Sequence, residues 1–294
     1  MYISIRHCMV ATPDFASPVE GMRHLGVEAA EIELTRDFTV CAMDSGEMIP
    51  LASDEDAVAY KRHLDGLGIR ACAFLTACDF SAGDRASNVQ WVARALELAD
   101  VMGMPVIRID SAMQRERELD FETRVNLFAE NLKAALERTA GSPVAMGIEN
   151  HGFQGNNLAF QLNVYKAVGS DRLGATMDTG NFYWRGYPLS EVYGILRVLA
   201  PYTKHTHLKN IQYPEETRET MREAGWEYLK YVSPLDEGDI DHAKVLQILA
   251  KAGYQGDICI EDECLGRYKT PEERIAVLER DVAHVKKAIQ SATG

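Results

Sequence analysis

Four residues stand where apolar runs give way to polar loops. Val144-Ala145-Met146-Gly147-Ile148 ends in Glu149, Gly174-Ala175-Thr176-Met177 ends in Asp178, Thr206-His207-Leu208 carries His207, and Ile258-Cys259-Ile260 ends in Glu261. A carboxylate desolvated beside an apolar run needs a compensating charge, and a cation shared by several carboxylates supplies it. Three carboxylates and one imidazole make a mostly hard, oxygen-rich donor set. That set suits Mn2+ or Mg2+ better than a structural zinc held by thiolates, with Co2+ or Zn2+ as alternatives. Taken singly, each residue reads as a strand-end charge bonded to a neighbouring loop; their arrival on consecutive runs favours a shared metal.

Residues so placed need a frame of short strands that all point one way. Strand-like apolar runs recur along the chain at Tyr2–Met9, Ala29–Leu34, Arg70–Leu75, Val106–Ile109, Val144–Glu149, Gly174–Asp178, Thr203–Leu208 and Asp257–Glu261. Between them lie helical stripes, such as Val89, Val92, Leu96 and Ala99, or Val125, Phe128, Leu132 and Ala135. Similar stripes occupy Ala57–Leu67, Ala243–Leu249 and Ile275–Ile289, and Gly68, Gly141 and Gly253 stand where helices are expected to stop. Strand-helix-strand order imposes parallel pairing, and nearly all-apolar strands suit a sheet covered on both faces. Eight such units close a (β/α)8 TIM barrel, which takes about 250 residues and carries its active site at the carboxyl ends of the strands. The 294 residues therefore read as one domain, 1–294. The rival, an open doubly wound sheet, lacks its GxGxxG turn, because Cys8-Met9-Val10-Ala11 closes the first run instead. The longest irregular stretch, 211–238, is charged and includes Trp226, Tyr228 and Tyr231; it reads as a lid over a pocket or as a surface insertion with its own apolar anchor.

Composition narrows the partners. A hydrophobic share of 46% with 26% charged residues describes a globular chain with a sizeable core. The formal charge of −13 disfavours nucleic acid and anionic membrane surfaces as partners and fits a small neutral substrate better. Six cysteines without CxxC or CxxH spacing are expected to be reduced and buried. The start, Met1-Tyr2-Ile3-Ser4-Ile5-Arg6-His7, lacks the features of a secretory signal, and no apolar run is long enough for a membrane span, so a cytoplasmic location is expected. Barrels of this size often form homo-oligomers, although no interface signature stands out.

The segments Ile148-Glu149-Asn150-His151-Gly152, Met177-Asp178-Thr179-Gly180-Asn181, His205-Thr206-His207-Leu208-Lys209-Asn210 and Glu237-Gly238-Asp239-Ile240-Asp241, followed by Ile260-Glu261, carry a family likeness. In order and spacing they resemble the xylose isomerase-like TIM barrel superfamily of sugar phosphate isomerases and epimerases, over nearly the whole chain. The resemblance implies that Glu149, Asp178, His207 and Glu261 bind one divalent metal, commonly manganese. It implies as well that Glu149 and Glu261 are catalytic and handle protons, and that vicinal substrate oxygens lie on the metal. Such a cation polarises a carbonyl and stabilises an enediolate, which lowers the barrier to removing the adjacent carbon-bound proton. One glutamate takes the proton and the other returns it. Three positions depart from the ketose 3-epimerases of that family. Asn181 stands where a histidine is frequent, Tyr213 where those epimerases have an arginine, and Asn150-His151-Gly152 replaces a proline-containing turn with a further glutamate.

Several neighbours are candidates for binding substrate. His151, Asn150 and Asn181 adjoin the proposed ligands, and Lys209 alternates to the face of His207, where it could stabilise negative charge. Arg108 with Asp110, and Glu31 with Glu33, close two other strands and read as pocket residues or intrabarrel ion pairs. Trp184 and Tyr183 read as a wall for a sugar ring or as packing under a loop. The function expected is a divalent-metal-dependent isomerase or epimerase of a ketose, keto-sugar or related polyol derivative. A lyase or dehydratase acting on a keto-cyclitol or keto-sugar shares the first step and differs in whether a β-oxygen substituent then leaves. An abasic-site endonuclease of this barrel family shares the four ligands but needs further histidines and a basic groove. A sugar or metal binder without turnover would be favoured by a missing glutamate, and both are present.

Overall fold

The computed structural model describes residues 1–11, 13–111, 113–114 and 117–293. Eight parallel strands form the barrel wall: β1 (Tyr2–Arg6), β2 (Ala29–Leu34), β3 (Arg70–Thr76), β4 (Val106–Ile109), β5 (Ala145–Glu149), β6 (Leu173–Asp178), β7 (Thr203–His207) and β8 (Asp257–Ile260). They run in the order β8-β1-β2-β3-β4-β5-β6-β7. The remaining seam closes through Leu208, whose N–H donates to the Cys259 carbonyl at 2.7 Å and whose carbonyl accepts from Glu261 N–H at 3.0 Å. Strands β4, β6 and β8 are buried along their whole length, as expected when helices cover the outside.

The outer helices are α1 (Pro18–Leu25), α2 (Asp54–Leu67), α3 (Arg85–Val101), α4 (Phe121–Arg138), α5 (Leu158–Val168), α6 (Leu189–Leu199), α7 (His242–Lys251) and α8 (Pro271–Thr293). Their starts follow side-chain capping: Ser53 and Asp56 form a capping box on α2, and Asp84, Asp120 and Asp241 accept first-turn N–H groups on α3, α4 and α7. Gly68 ends α2 at φ 74°, a left-handed conformation that costs glycine little. Gly141 does not end a helix, because α4 stops earlier, with Thr139 as its cap. Nor does the first strand run to Met9; His7–Val10 turns into a short 3-10 helix. That turn carries Cys8 out of the wall, so Cys8 is exposed while the other five cysteines are buried, and all six are free.

Two local features aim side chains toward the barrel mouth. The pairing of β2 with β3 shifts register between Ala30 and Glu31, and that of β6 with β7 shifts between Ala175 and Thr176. On β5, a Cβ at Gly147 would sit 2.4 Å from Thr176 Oγ1 and 2.8 Å from Thr176 N, so glycine lets β6 approach just before Glu149 and Asp178. The 211–238 stretch forms a small antiparallel pair, Asn210–Ile211 with Val232–Ser233, anchored by Tyr213, Trp226 and Tyr231. It also reaches inward, since Tyr228 donates its hydroxyl proton to Glu263 Oε2. None of the described helices is long and apolar enough to cross a membrane.

Candidate metal centre

Strands β5, β6, β7 and β8 end side by side, and the residues at or just past their ends meet. One donor atom from each of Glu149, Asp178, His207 and Glu261 lies within 4.8 Å of the others, and all four residues are buried. Asp178 and His207 are direct register partners across β6 and β7. The Asp178 loop is shaped by its own carboxylate, whose Oδ1 accepts the N–H groups of Gly180 (2.8 Å) and Asn181 (2.6 Å).

The inward atoms are short of partners. Asp178 Oδ2, His207 Nδ1 and Glu261 Oε2 are buried without a hydrogen bond. His207 Nδ1 faces Glu261 Oε2 at 3.2 Å and Glu149 Oε1 at 3.6 Å. Lys209 Nζ lies 3.1 Å from Asp178 Oδ2 and 3.0 Å from Glu261 Oε2, close enough for ion pairing but without the alignment of a hydrogen bond. Three anionic side chains and an imidazole converging on one point, with lone pairs unspent, fit a divalent cation.

Charge compensation around this point is asymmetric. Burial drives the Glu149 carboxyl upward, but Arg108 and then His207 outweigh it and hold it well below the usual range. Burial likewise opposes ionisation of Glu261, and His207 and Lys209 overcome it. Asp178 is the exception. Burial, reinforced by the charges of Glu261 and Glu149 and only partly offset by Lys209, raises it to about 7. His207 is held well above the usual histidine range because Glu261, Glu31 and Glu149 outweigh its burial.

The surrounding candidates take definite positions. Arg108 is buried; its Nε donates to Glu149 Oε2 at 2.5 Å and its Nη1 lies 2.8 Å from Asp110 Oδ1, so it makes the intrabarrel ion pair. Asn181 donates from Nδ2 to Glu149 Oε1 at 3.1 Å. Asn150 is wholly internal, bonded to the Asp178 backbone and to Asn156, and so is not open to substrate hydroxyls. Lys209 is buried against Asp178 and Glu261 and against Glu263, at 2.6 Å. His151 stands at the rim with Nδ1 3.6 Å from Asp110. Trp184 is half-buried and its carbonyl accepts from Gly225 N–H at 2.8 Å, which sets it under the 211–238 segment. The Tyr183 hydroxyl donates to Asp239 at 2.9 Å.

Glu31 was read in the sequence as a pocket residue or an ion-pair partner, whereas Arg6 did not stand out. Arg6, at the end of β1, bonds Glu261 through Nη1 and lies 3.4 Å from Glu31 Oε2. Glu31, on β2, accepts from both His205 (2.9 Å) and His207 (3.0 Å). The paired histidines of the His205-Thr206-His207 run were a signal for the partners of Glu31, since alternate strand residues share a face.

Comparison with curated proteins finds no match to the sequence. Solved structures do share the fold. An L-ribulose 3-epimerase aligns at 17% identity, covering 99% of this chain and 95% of its own, with TM-score 0.69. An IolI protein with a binding zinc atom aligns at 16% identity over 100% of both chains, with TM-score 0.70. The probable 3-DHS dehydratase AsbF of Bacillus anthracis, involved in petrobactin synthesis, aligns at 14% identity over 97% of this chain and 99% of its own, with TM-score 0.66. The xylose isomerase-like TIM barrel family model matches residues 19–288, and the chain belongs to that family.

Proposed function

We propose that this protein is a divalent-metal-dependent isomerase or epimerase that moves a proton beside the carbonyl of a ketose, keto-sugar or related polyol derivative. The observation that carries the reading is the convergence of Glu149, Asp178, His207 and Glu261, with Asp178 Oδ2, His207 Nδ1 and Glu261 Oε2 buried and unbonded. The oxygen-rich donor set favours Mn2+, with Mg2+, Co2+ and Zn2+ as alternatives. A cation held by these residues supplies Lewis-acid polarisation of a carbonyl oxygen.

The chain's own groups supply the rest. Glu149 and Glu261, both beside His207 Nδ1, exchange the carbon-bound proton, one taking it and the other returning it. Arg108 and Arg6 each grip one of these carboxylates and fix its plane. The Lys209 ammonium, buried at the same point, stabilises negative charge that develops on the substrate oxygen. The test is incubation of ketoses and keto-sugars in D2O with chelator-stripped protein, with and without Mn2+. Mn2+-dependent deuterium entry beside the carbonyl, lost in Glu149→Gln or Glu261→Gln, supports the reading; absence of exchange in a metal-loaded protein counts against it.

One observation favours a second reading, a dehydratase acting on a keto-cyclitol or keto-sugar. Elimination needs an acid that reaches a departing hydroxyl, and His151, braced by Asp110 and two residues from Glu149, stands at the rim where such a group would leave. The same incubations separate the readings: an epimer or isomer supports the first, an unsaturated or dehydrated product the second. The charge of −13 weighs against a DNA substrate, and the presence of both glutamates weighs against a binder without turnover.

A further inference from the structure

Below the four converging residues, the barrel interior is polar where small barrels of this kind are filled with branched apolar side chains. Ser4 Oγ donates to Asp257 Oδ2 at 3.2 Å, and Asp257 Oδ2 lies 2.8 Å from His205 Nδ1. His205 Nε2 meets Glu31 Oε1 at 2.9 Å, and both oxygens of Glu31 lie 3.0 Å from His207 Nε2. Every member of this chain is buried. Burying ionisable groups carries a desolvation penalty that well-packed apolar residues would avoid, so stability alone gives the chain no reason to exist.

We infer that Glu31 is a positioning residue for the metal-binding imidazole of His207. A carboxylate only accepts, so Glu31 requires the proton of His207 on Nε2 and leaves Nδ1, facing Glu149 and Glu261, as the nitrogen that gives up its proton to a cation. Glu31 cannot turn away, because His205 holds it and Asp257 in turn holds His205. The register shift at Ala30 and Glu31 is the backbone feature that accompanies this placement. The inference rests on the metal reading above and adds a role that no ligand plays.

Two measurements without substrate test it. Calorimetric titration with Mn2+ compares the wild type with Glu31→Gln, which keeps the shape and one acceptor but loses the charge. Affinity is expected to fall about 10- to 100-fold in a variant whose circular dichroism matches the wild type. Long-range 1H–15N correlation spectra of the Zn2+-loaded wild type are expected to show His207 protonated on Nε2 and bound through Nδ1. Unchanged Mn2+ affinity in Glu31→Gln overturns the inference, as does binding through Nε2. A second ion per chain that disappears with Glu31→Gln overturns it too, by making Glu31 a ligand. If Glu31→Gln does not fold, the wild-type spectrum decides. Failure of the wild type to bind either ion removes the metal reading itself, and is seen before any variant is compared.

Discussion

Asn150 and Asp178 exchange two hydrogen bonds: Asn150 Nδ2 donates to the Asp178 carbonyl at 2.9 Å, and Asp178 N–H donates to Asn150 Oδ1 at 2.8 Å. The pair ties the end of β5 to the end of β6, the two strands that deliver Glu149 and Asp178. Asn150→Ala would leave both backbone groups buried without partners, each costing about 1–3 kcal/mol. A loss of roughly 2–4 kcal/mol in urea unfolding is expected. A loss below about 0.5 kcal/mol, the ordinary range for surface changes, would contradict this role.

Gly147 is required by contact with the next strand. An alanine methyl there would press on Thr176 Oγ1 and on the Thr176 backbone nitrogen, which cannot yield as a flexible side chain can. Gly147→Ala is expected to cost about 1–3 kcal/mol in denaturant unfolding, in line with other overpacked interiors. Wild-type stability in this variant would show that β5 and β6 are not so closely apposed.

Lys209 stands in for part of the charge that a cation would supply. Lys209→Met leaves Asp178 and Glu261 without their buried ammonium, a change of the kind that costs about 3–5 kcal/mol. The metal-free variant is expected to melt well below the wild type, and saturating Mn2+ to raise its melting temperature more than it raises that of the wild type. Equal shifts would mean that Lys209 and the metal do not share these carboxylates.

Acid sensitivity should arise partly from His242. Its ring is buried between the His284 ring and the Lys209 carbonyl, and burial, aided by His284, lowers its pKa from 6.5 to about 3. The unfolded chain takes up this proton near pH 6.5, whereas the folded chain resists until about pH 3. The contribution to stability is therefore complete above pH 6.5 and is lost as pH falls toward 3, by up to about 1.4 kcal/mol per unit. In urea unfolding from pH 7.5 to 4.5, His242→Gln is expected to show a flatter acid limb than the wild type. Parallel limbs would assign the acid sensitivity to other groups.

The convergence of Glu149, Asp178, His207 and Glu261 was legible in the sequence because each ends or nearly ends an apolar run, and in a barrel all such ends share one face. The barrel itself was legible for the same reason: strands buried on both faces announce themselves as short apolar runs. Local turns were less so. Cys8 and Met9 look like strand continuation, yet His7–Val10 coils away at the rim. Helix α1 is only eight residues long, so its stripe of Val19, Met22 and Leu25 is short, although Ser17-Pro18 at its start and Gly26 at its end mark it by capping. Asn157, accepting from Ala159 and Phe160 N–H, marks α5 in the same way. Glu31 was visible only as one of two strand glutamates. Its bonds run to His205 and His207, far along the chain, and only closure of the barrel brings them within reach.

The central claim is that Glu149, Asp178, His207 and Glu261 together hold one divalent cation. Calorimetric titration of chelator-stripped protein with Mn2+ tests it most directly, alongside Asp178→Asn, which removes a ligand charge with little change in shape. The account predicts one ion per wild-type chain and no measurable binding by Asp178→Asn in a variant whose circular dichroism matches the wild type. An unbound wild type, or a variant that binds equally well, would contradict it.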